Sequence, residues 1–171
     1  MNSRERRKYI DELLIKNKLP QKGYKIAEEL GVTRQVIVKD IAISRAEGKK
    51  IIATPEGYLL LSDYRNTVER VVALNHKVED IREELNCIVK NGGVIRDVIV
   101  EHPLYGEIKG MLMIRSLSDV DNFIKRIAEY KAEPLLILTG GVHLHTIETE
   151  TMEDMNKIIE ELKKKTFLIC D

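Results

Sequence analysis

Two histidines lie two residues apart in the run Gly140-Gly141-Val142-His143-Leu144-His145-Thr146-Ile147-Glu148. A strand alternates its side chains between faces, so an extended segment over 142–147 projects both imidazoles from one side. Neutral imidazole is the commonest transition-metal ligand in proteins, and two of them on a rigid element make half a site. A strand with purely structural histidines reads the same way. The chain's other histidines are His76 and His102. His76 stands at the start of an expected helix, where Asp80 and Glu84 follow at i+4 and i+8 on the same face, with Glu83 beside them. A histidine and a carboxylate from that helix, joined to the strand pair, give a nitrogen/oxygen donor set without thiolate. Such a set suits nickel, zinc, iron(II), cobalt or copper(II) rather than calcium or magnesium. Three imidazoles and a carboxylate leave an octahedral ion open positions for a small ligand. A merely solvated helix face is the competing reading of His76 and Glu84.

The elements that must hold these groups follow from periodicity. Val68 to Leu74 is β-branched and reads as a strand. Residues 77–90 form a helix with Val78, Ile81, Leu85, Ile88 and Val89 as its apolar stripe, stopped by Asn91-Gly92-Gly93. Residues 94–100 alternate as a strand, broken once at Arg96 and Asp97. Pro103-Leu104-Tyr105-Gly106 turns the chain into a strand over 107–115. Ser118 is the expected cap of a helix over 119–130, followed by the histidine strand, a helix over 151–165, and a short edge strand at Phe167-Leu168-Ile169. The order βαββαβ predicts a ferredoxin-like split βαβ sheet with an added helix and strand.

The first part of the chain has a different pattern. Residues 3–16 read as a helix capped by Ser3, with Tyr9, Ile10, Leu13 and Leu14 on one face. A short helix follows over 24–30, Gly31 supplies a left-handed turn residue, and Thr33 caps a third helix over 34–47. On that helix Ile37, Ile41 and Ser44 face inward, whereas Gln35, Val38, Lys39 and Ala42 face outward. An outward face opening with Thr33, Arg34 and Gln35 suits a recognition helix, because arginine and glutamine can read base edges in the major groove. Residues 51–54 and 58–61 around Pro55-Glu56-Gly57 form a hairpin wing, and Lys49 and Lys50 beside it suit phosphate contacts. A protein-binding three-helix module is the alternative. The expected DNA-facing set is therefore Thr33, Arg34, Gln35, Lys39, Lys49 and Lys50.

Charge divides along the same line. Residues 1–62 carry 13 Lys/Arg against 8 Asp/Glu, and residues 63–171 carry 15 against 20, although the whole chain has zero formal net charge. A basic module joined to an acidic one fits a single nucleic-acid-binding domain at 1–62 and a second domain at 63–171, with a polar junction at 62–66. Cys87 and Cys170 are far apart and belong to no CxxC pair, which argues against a disulfide framework or thiolate zinc finger. No apolar run reaches the length of a membrane span, so a soluble cytoplasmic protein with no membrane partner is expected.

Residues 68–169 resemble the three-histidine (3H) domain. The resemblance is carried by Asn75-His76, by Glu83-Glu84-Leu85-Asn86-Cys87-Ile88-Val89, by Asp97-Val98-Ile99-Val100-Glu101-His102-Pro103-Leu104-Tyr105-Gly106, and by Leu138-Thr139-Gly140-Gly141-Val142-His143-Leu144-His145-Thr146-Ile147-Glu148. Residues 1–62 resemble the winged-helix domain of the biotin repressor, but the chain lacks that family's Gly/Arg-rich adenylate-binding loop. A winged helix followed by a 3H domain is similar to the niacin-responsive repressors of NAD biosynthesis and niacin uptake. The resemblance implies a homodimer on a palindromic operator, with nicotinic acid or a related pyridine as corepressor; the absence of zincin-type and nucleophile-elbow motifs argues against an enzyme. The resemblance further implies a divalent transition metal, nickel or zinc foremost, on His76, Glu84, His143 and His145, with His102 and Tyr105 at the effector pocket. Glu101 stands where the family commonly has aspartate. Two other functions use the same residues: a regulator that senses the metal itself, and a metal-dependent hydrolase in which Glu83 or Asp80 serves as base.

Overall fold

The computed structural model describes residues 1–61 and 67–170. Contacts divide the chain into two compact units, Met1–Arg65 and Asn66–Asp171. The polar junction expected at 62–66 lies outside the described residues. Among those described, no helix is long and apolar enough to cross a membrane.

The first unit contains α1 (Ser3–Lys16), α2 (Gly23–Glu29) and α3 (Arg34–Ala46), then β1 (Ile51–Thr54) and β2 (Gly57–Leu60) as an antiparallel hairpin. Its core is aliphatic, built on Ile10, Leu14, Ile26, Ile37, Ile41 and Ile51. The cap of α1 is Asn2, one residue before the expected Ser3. Asn2 Oδ1 accepts from the Glu5 amide at 2.9 Å, and Glu5 Oε2 accepts from the Asn2 amide at 3.0 Å. This reciprocal pairing requires an acidic residue three positions after the cap, which only Asn2 has. Gly31 takes the left-handed conformation (φ +62°) at the corner between α2 and α3, and the Val32 amide bonds back to the Ala27 carbonyl at 3.0 Å.

The second unit contains β3 (Val68–Asn75), a 3-10 turn at Val78–Asp80, α4 (Ile81–Lys90), β4 (Val94–His102) and β5 (Gly106–Ile114). It continues with α5 (Leu117–Tyr130), a 3-10 turn at Leu135–Thr139, β6 (Val142–Thr149) and α6 (Met152–Lys164). The α+β class and the βαββαβ order are those expected, but the strand order is not ferredoxin-like. A ferredoxin-like sheet centres its first and third strands, whereas the order here is β3-β6-β4-β5, all antiparallel. The arrangement follows burial: from His143 to Thr149 all but Leu144 are fully buried, so β6 must lie inside the sheet. By contrast, β5 begins with exposed Gly106 and Glu107 and tolerates an edge. Each helix-linked strand pair still has one strand between its members. Helix α4 packs on both α5 and α6, and α6 packs on β3 and β6.

Two further expectations need correction. The cap of α5 is Ser116, not Ser118: its Oγ accepts the Asp119 amide at 3.1 Å and Asp119 Oδ2 accepts the Ser116 amide at 2.9 Å. Residues 167–169 do not form a full edge strand. They touch β3 through a single bridge, with the Asn75 amide donating to the Phe167 carbonyl and the Ile169 amide to that of Ala73, both at 2.9 Å.

Candidate metal centre and nucleic-acid interface

The β3–β6 register pairs Leu74 with His143 and Val72 with His145. Leu74 and Val72 are buried core residues, so both histidines face inward toward the helices. Helix α4 aims Glu84 at them from the opposite layer, and His76 enters from the residue that follows β3. The 3-10 turn at Val78–Asp80 alters the expected helical face. With three residues per turn, it breaks the i, i+4 relation from His76 to Asp80. Asp80 instead accepts the Lys77 amide at 3.3 Å, and Glu83 pairs with Lys165 at 2.6 Å on the surface. Neither joins the cluster.

All four inward groups are nearly water-free: His76 is 8% exposed, Glu84 1%, His143 2% and His145 3%. Each imidazole is oriented by a backbone carbonyl. His76 Nδ1 lies 2.8 Å from the Lys77 oxygen, His143 Nδ1 2.8 Å from that of Gly141, and His145 Nδ1 2.6 Å from that of Asp97. A carbonyl oxygen can only accept, so each Nδ1 carries the proton and each Nε2 is directed into the cluster. There His76 Nε2 lies 2.9 Å from Glu84 Oε2, His145 Nε2 2.9 Å from Oε1 and His143 Nε2 3.7 Å from Oε1. One donor atom each from His76, Glu84 and His143 fall within 4.8 Å of one another.

Imidazole lone pairs aimed at a carboxylate in a dry interior repel unless a cation lies among them. Glu84 Oε1 and His143 Nε2 are indeed buried without a hydrogen-bond partner. Such orphaned atoms are costly, and metal coordination would satisfy them. Protons are the other available cation. Burial, the strongest single influence on His76 and His145, depresses their pKa, but bonding and charge from Glu84 reverse this and raise both. Burial likewise raises the Glu84 pKa, yet the charge on His145 and the imidazoles crowded around it hold its carboxyl well below the usual range. A transition metal fits this donor set, with backbone carbonyls as its supporting shell.

Close backbone approach brings the histidines together. A Cβ on Gly141 would lie 2.6 Å from both Asn75 Oδ1 and the His76 carbonyl, and its φ of +109° excludes most other residues. Thus Gly141 joins the start of β6 to the end of β3. His102 and Tyr105 lie elsewhere, at the β4–β5 turn. His102 Nδ1 accepts the Leu104 and Tyr105 amides at 3.2 and 3.3 Å, and the two rings sit 5.1 Å apart with Tyr105 largely exposed. Sequence reasoning did not identify Asp97 or Gly141 as supports of the site. Asp97 left a visible sign, the interruption of the β4 alternation.

On α3, Thr33, Arg34, Gln35 and Lys39 are all exposed, as are Lys49 and Lys50 just beyond it. Thr33 occupies the cap position without a side-chain cap bond, which leaves its hydroxyl on the outer surface. Lys49 lies 3.7 Å from Asp11. Behind this face the Asp40 carboxylate of α3 is clamped by Arg6 from α1, with Nη2 3.2 Å from Oδ1 and Nε bonded to Oδ2, while Ser3 Oγ donates to Oδ1 at 3.3 Å.

Comparison with known proteins agrees with both halves of this description. The 3H domain family matches residues 69–171 and an HTH domain family matches residues 6–59. The chain is 53% identical over 165 residues to the probable transcription repressor NiaR of Thermotoga maritima, covering 96% of this chain and 94% of that protein. It is 35% identical over 167 residues to the transcription repressor NadR of Bacillus subtilis, covering 94% and 93%. The chain belongs to the NiaR/NadR family of transcription repressors. The HTH match spans the exposed helix α3, and the 3H match spans the unit that holds the histidine cluster.

Proposed function

We propose that this protein represses genes of NAD biosynthesis or niacin uptake, using nicotinic acid or a related pyridine as corepressor. It binds a palindromic operator as a homodimer, and its second unit holds a divalent transition metal, nickel or zinc, on His76, Glu84, His143 and His145. The observation that carries this reading is the convergence of three carbonyl-oriented imidazoles on a buried carboxylate with orphaned atoms. Thr33, Arg34, Gln35 and Lys39 read or flank the major groove, and Lys49 and Lys50 meet phosphate.

A divalent ion held by these residues would supply fixed positive charge in a low-dielectric interior, suited to a carboxylate such as nicotinate. The chain's own residues hold that charge in place: Lys77, Gly141 and Asp97 carbonyls fix the imidazoles, and Glu84 lowers the net charge of the set. His102 and Tyr105, paired at the β4–β5 turn, offer an aromatic surface for a pyridine ring only if that turn closes toward the cluster when the effector binds. Corepression requires the effector to favour the dimer geometry whose recognition helices match half-sites about 34–36 Å apart. An effector with equal affinity for both geometries regulates nothing. A second reading, direct sensing of the metal, is favoured by one observation: the donor cluster is complete without His102 and Tyr105.

The test is footprinting on an operator fragment with and without nicotinic acid, comparing the parent protein with His143→Ala. The corepressor reading predicts nicotinate-dependent protection that disappears in the variant, while salt-sensitive nonspecific binding persists. An unchanged nicotinate response in the variant contradicts it. Protection that follows added nickel or zinc and ignores nicotinate selects the metal sensor.

A further inference from the structure

The ladder between β4 and β6 is interrupted at the metal cluster. Ile95 pairs with Ile147 and Ile99 pairs with Leu144, so four steps along β4 match three along β6. The extra residue is a β-bulge, and Asp97 lies within it. Its carboxylate is buried, at 1% exposure, in the middle of a sheet. Oδ1 accepts the Thr146 amide at 3.0 Å, replacing a backbone acceptor in the interrupted stretch. Oδ2 lies 3.6 Å from the ammonium of Lys109 on β5. The Asp97 main-chain carbonyl, freed by the same bulge, accepts His145 Nδ1–H at 2.6 Å.

These contacts act together. Without the carboxylate, the Thr146 amide lacks an acceptor and the strands are free to slide into regular pairing, which would turn the carbonyl away from His145. We infer that Asp97 is a positioning residue for the metal ligand His145: its side chain pins the bulge, and the bulge presents the carbonyl that holds Nε2 toward the ion. The inference rests on the metal reading above and adds a support from β4 that the donor set alone does not reveal. It also links Lys109 on β5 to the metal centre through one carboxylate. Residues that orient ligands in this way typically contribute about 10–100-fold to metal affinity.

The experiment uses the full chain loaded with zinc, which is diamagnetic. Long-range proton–nitrogen NMR assigns the His145 tautomer, and competition with a chromophoric chelator gives zinc affinity. Asp97→Asn keeps an acceptor for the Thr146 amide, whereas Asp97→Ala removes it. Ile95→Val is a control for general loosening of the same strand. The expected result is a loss of zinc affinity of about 10–100-fold in Asp97→Ala, with His145 no longer bound through Nε2 alone. Asp97→Asn should restore the parent tautomer and most of the affinity, and Ile95→Val should retain both. An Asp97→Ala protein with parent affinity and tautomer overturns the inference. Equal losses in Asp97→Ala and Ile95→Val with the tautomer unchanged overturn it as well, because the effect is then general destabilisation. Failure of the parent protein to take up zinc, nickel or cobalt refutes the metal reading itself and is distinct from these outcomes.

Discussion

Among the carboxylates buried at 1% exposure, Asp40 in the first unit and Glu84 in the second are satisfied differently. Asp40 is fully engaged by protein groups: the forked guanidinium of Arg6 covers both oxygens and Ser3 adds a hydroxyl. Glu84 faces three imidazoles whose Nδ1 protons are already given to carbonyls, and Oε1, although 2.9 Å from His145 Nε2, accepts no hydrogen bond. The first arrangement is closed, and its product is a fixed angle between α1 and α3. The second calls for a cation. Burial of charge is therefore a poor guide to function, and the completeness of its hydrogen bonding is a better one.

That contrast can be broken by removing Arg6. Arg6→Met leaves Asp40 buried with only the Ser3 hydroxyl against it, and the expected cost is about 3 kcal/mol in the stability of the first unit. Chemical denaturation followed by probes in each unit checks this, and zinc affinity should be unchanged. A comparable fall in zinc affinity would show that the two buried carboxylates do not serve separate purposes.

The metal sharpens the comparison from the other side. At a free zinc concentration of about 100 times the dissociation constant, binding to the folded form alone stabilises the second unit by about 2.7 kcal/mol. Chelation should lower its thermal midpoint and leave the first unit's transition in place. Identical shifts in both transitions would contradict this separation.

Smaller effects are expected on the exposed face of α3. Gln35→Ala should relax sequence preference at one operator position and cost about 1–3 kcal/mol against the correct base. Lys39→Ala should weaken binding to all sequences alike and reduce the salt-dependence slope by about 1. Quantitative binding at several salt concentrations distinguishes the two. A uniform loss in Gln35→Ala would remove that residue from base readout.

Much of this was legible in the sequence because local patterns determine it. The outward and inward faces of α3 follow from a 3.6-residue period, and the shared face of His143 and His145 from a period of two. What was not legible is non-local. The place of β6 in the sheet depends on total burial rather than on element order, so the ferredoxin-like expectation failed while the α+β class stood. Asp80 left the cluster because a 3-10 turn at Val78–Asp80 rotates the chain before α4 begins, and Glu83, beside Glu84 on α4, points to a different side of the helix and meets Lys165. The roles of Asp97 and Gly141 arise from a bulge and from backbone proximity to residues far along the chain. For His102 and Tyr105, the turn that pairs them does not gather them with the four inward groups.

The most direct measurement is calorimetric titration of nickel(II) into chelator-stripped protein, with Glu84→Gln in parallel. The account predicts saturation at one ion per chain in the parent. In Glu84→Gln it predicts a loss of affinity larger than the roughly 10–100-fold that ligand-orienting residues give. Absence of binding in the parent, or equal binding in the two proteins, would contradict the claim that this buried carboxylate and its three imidazoles are built around a metal.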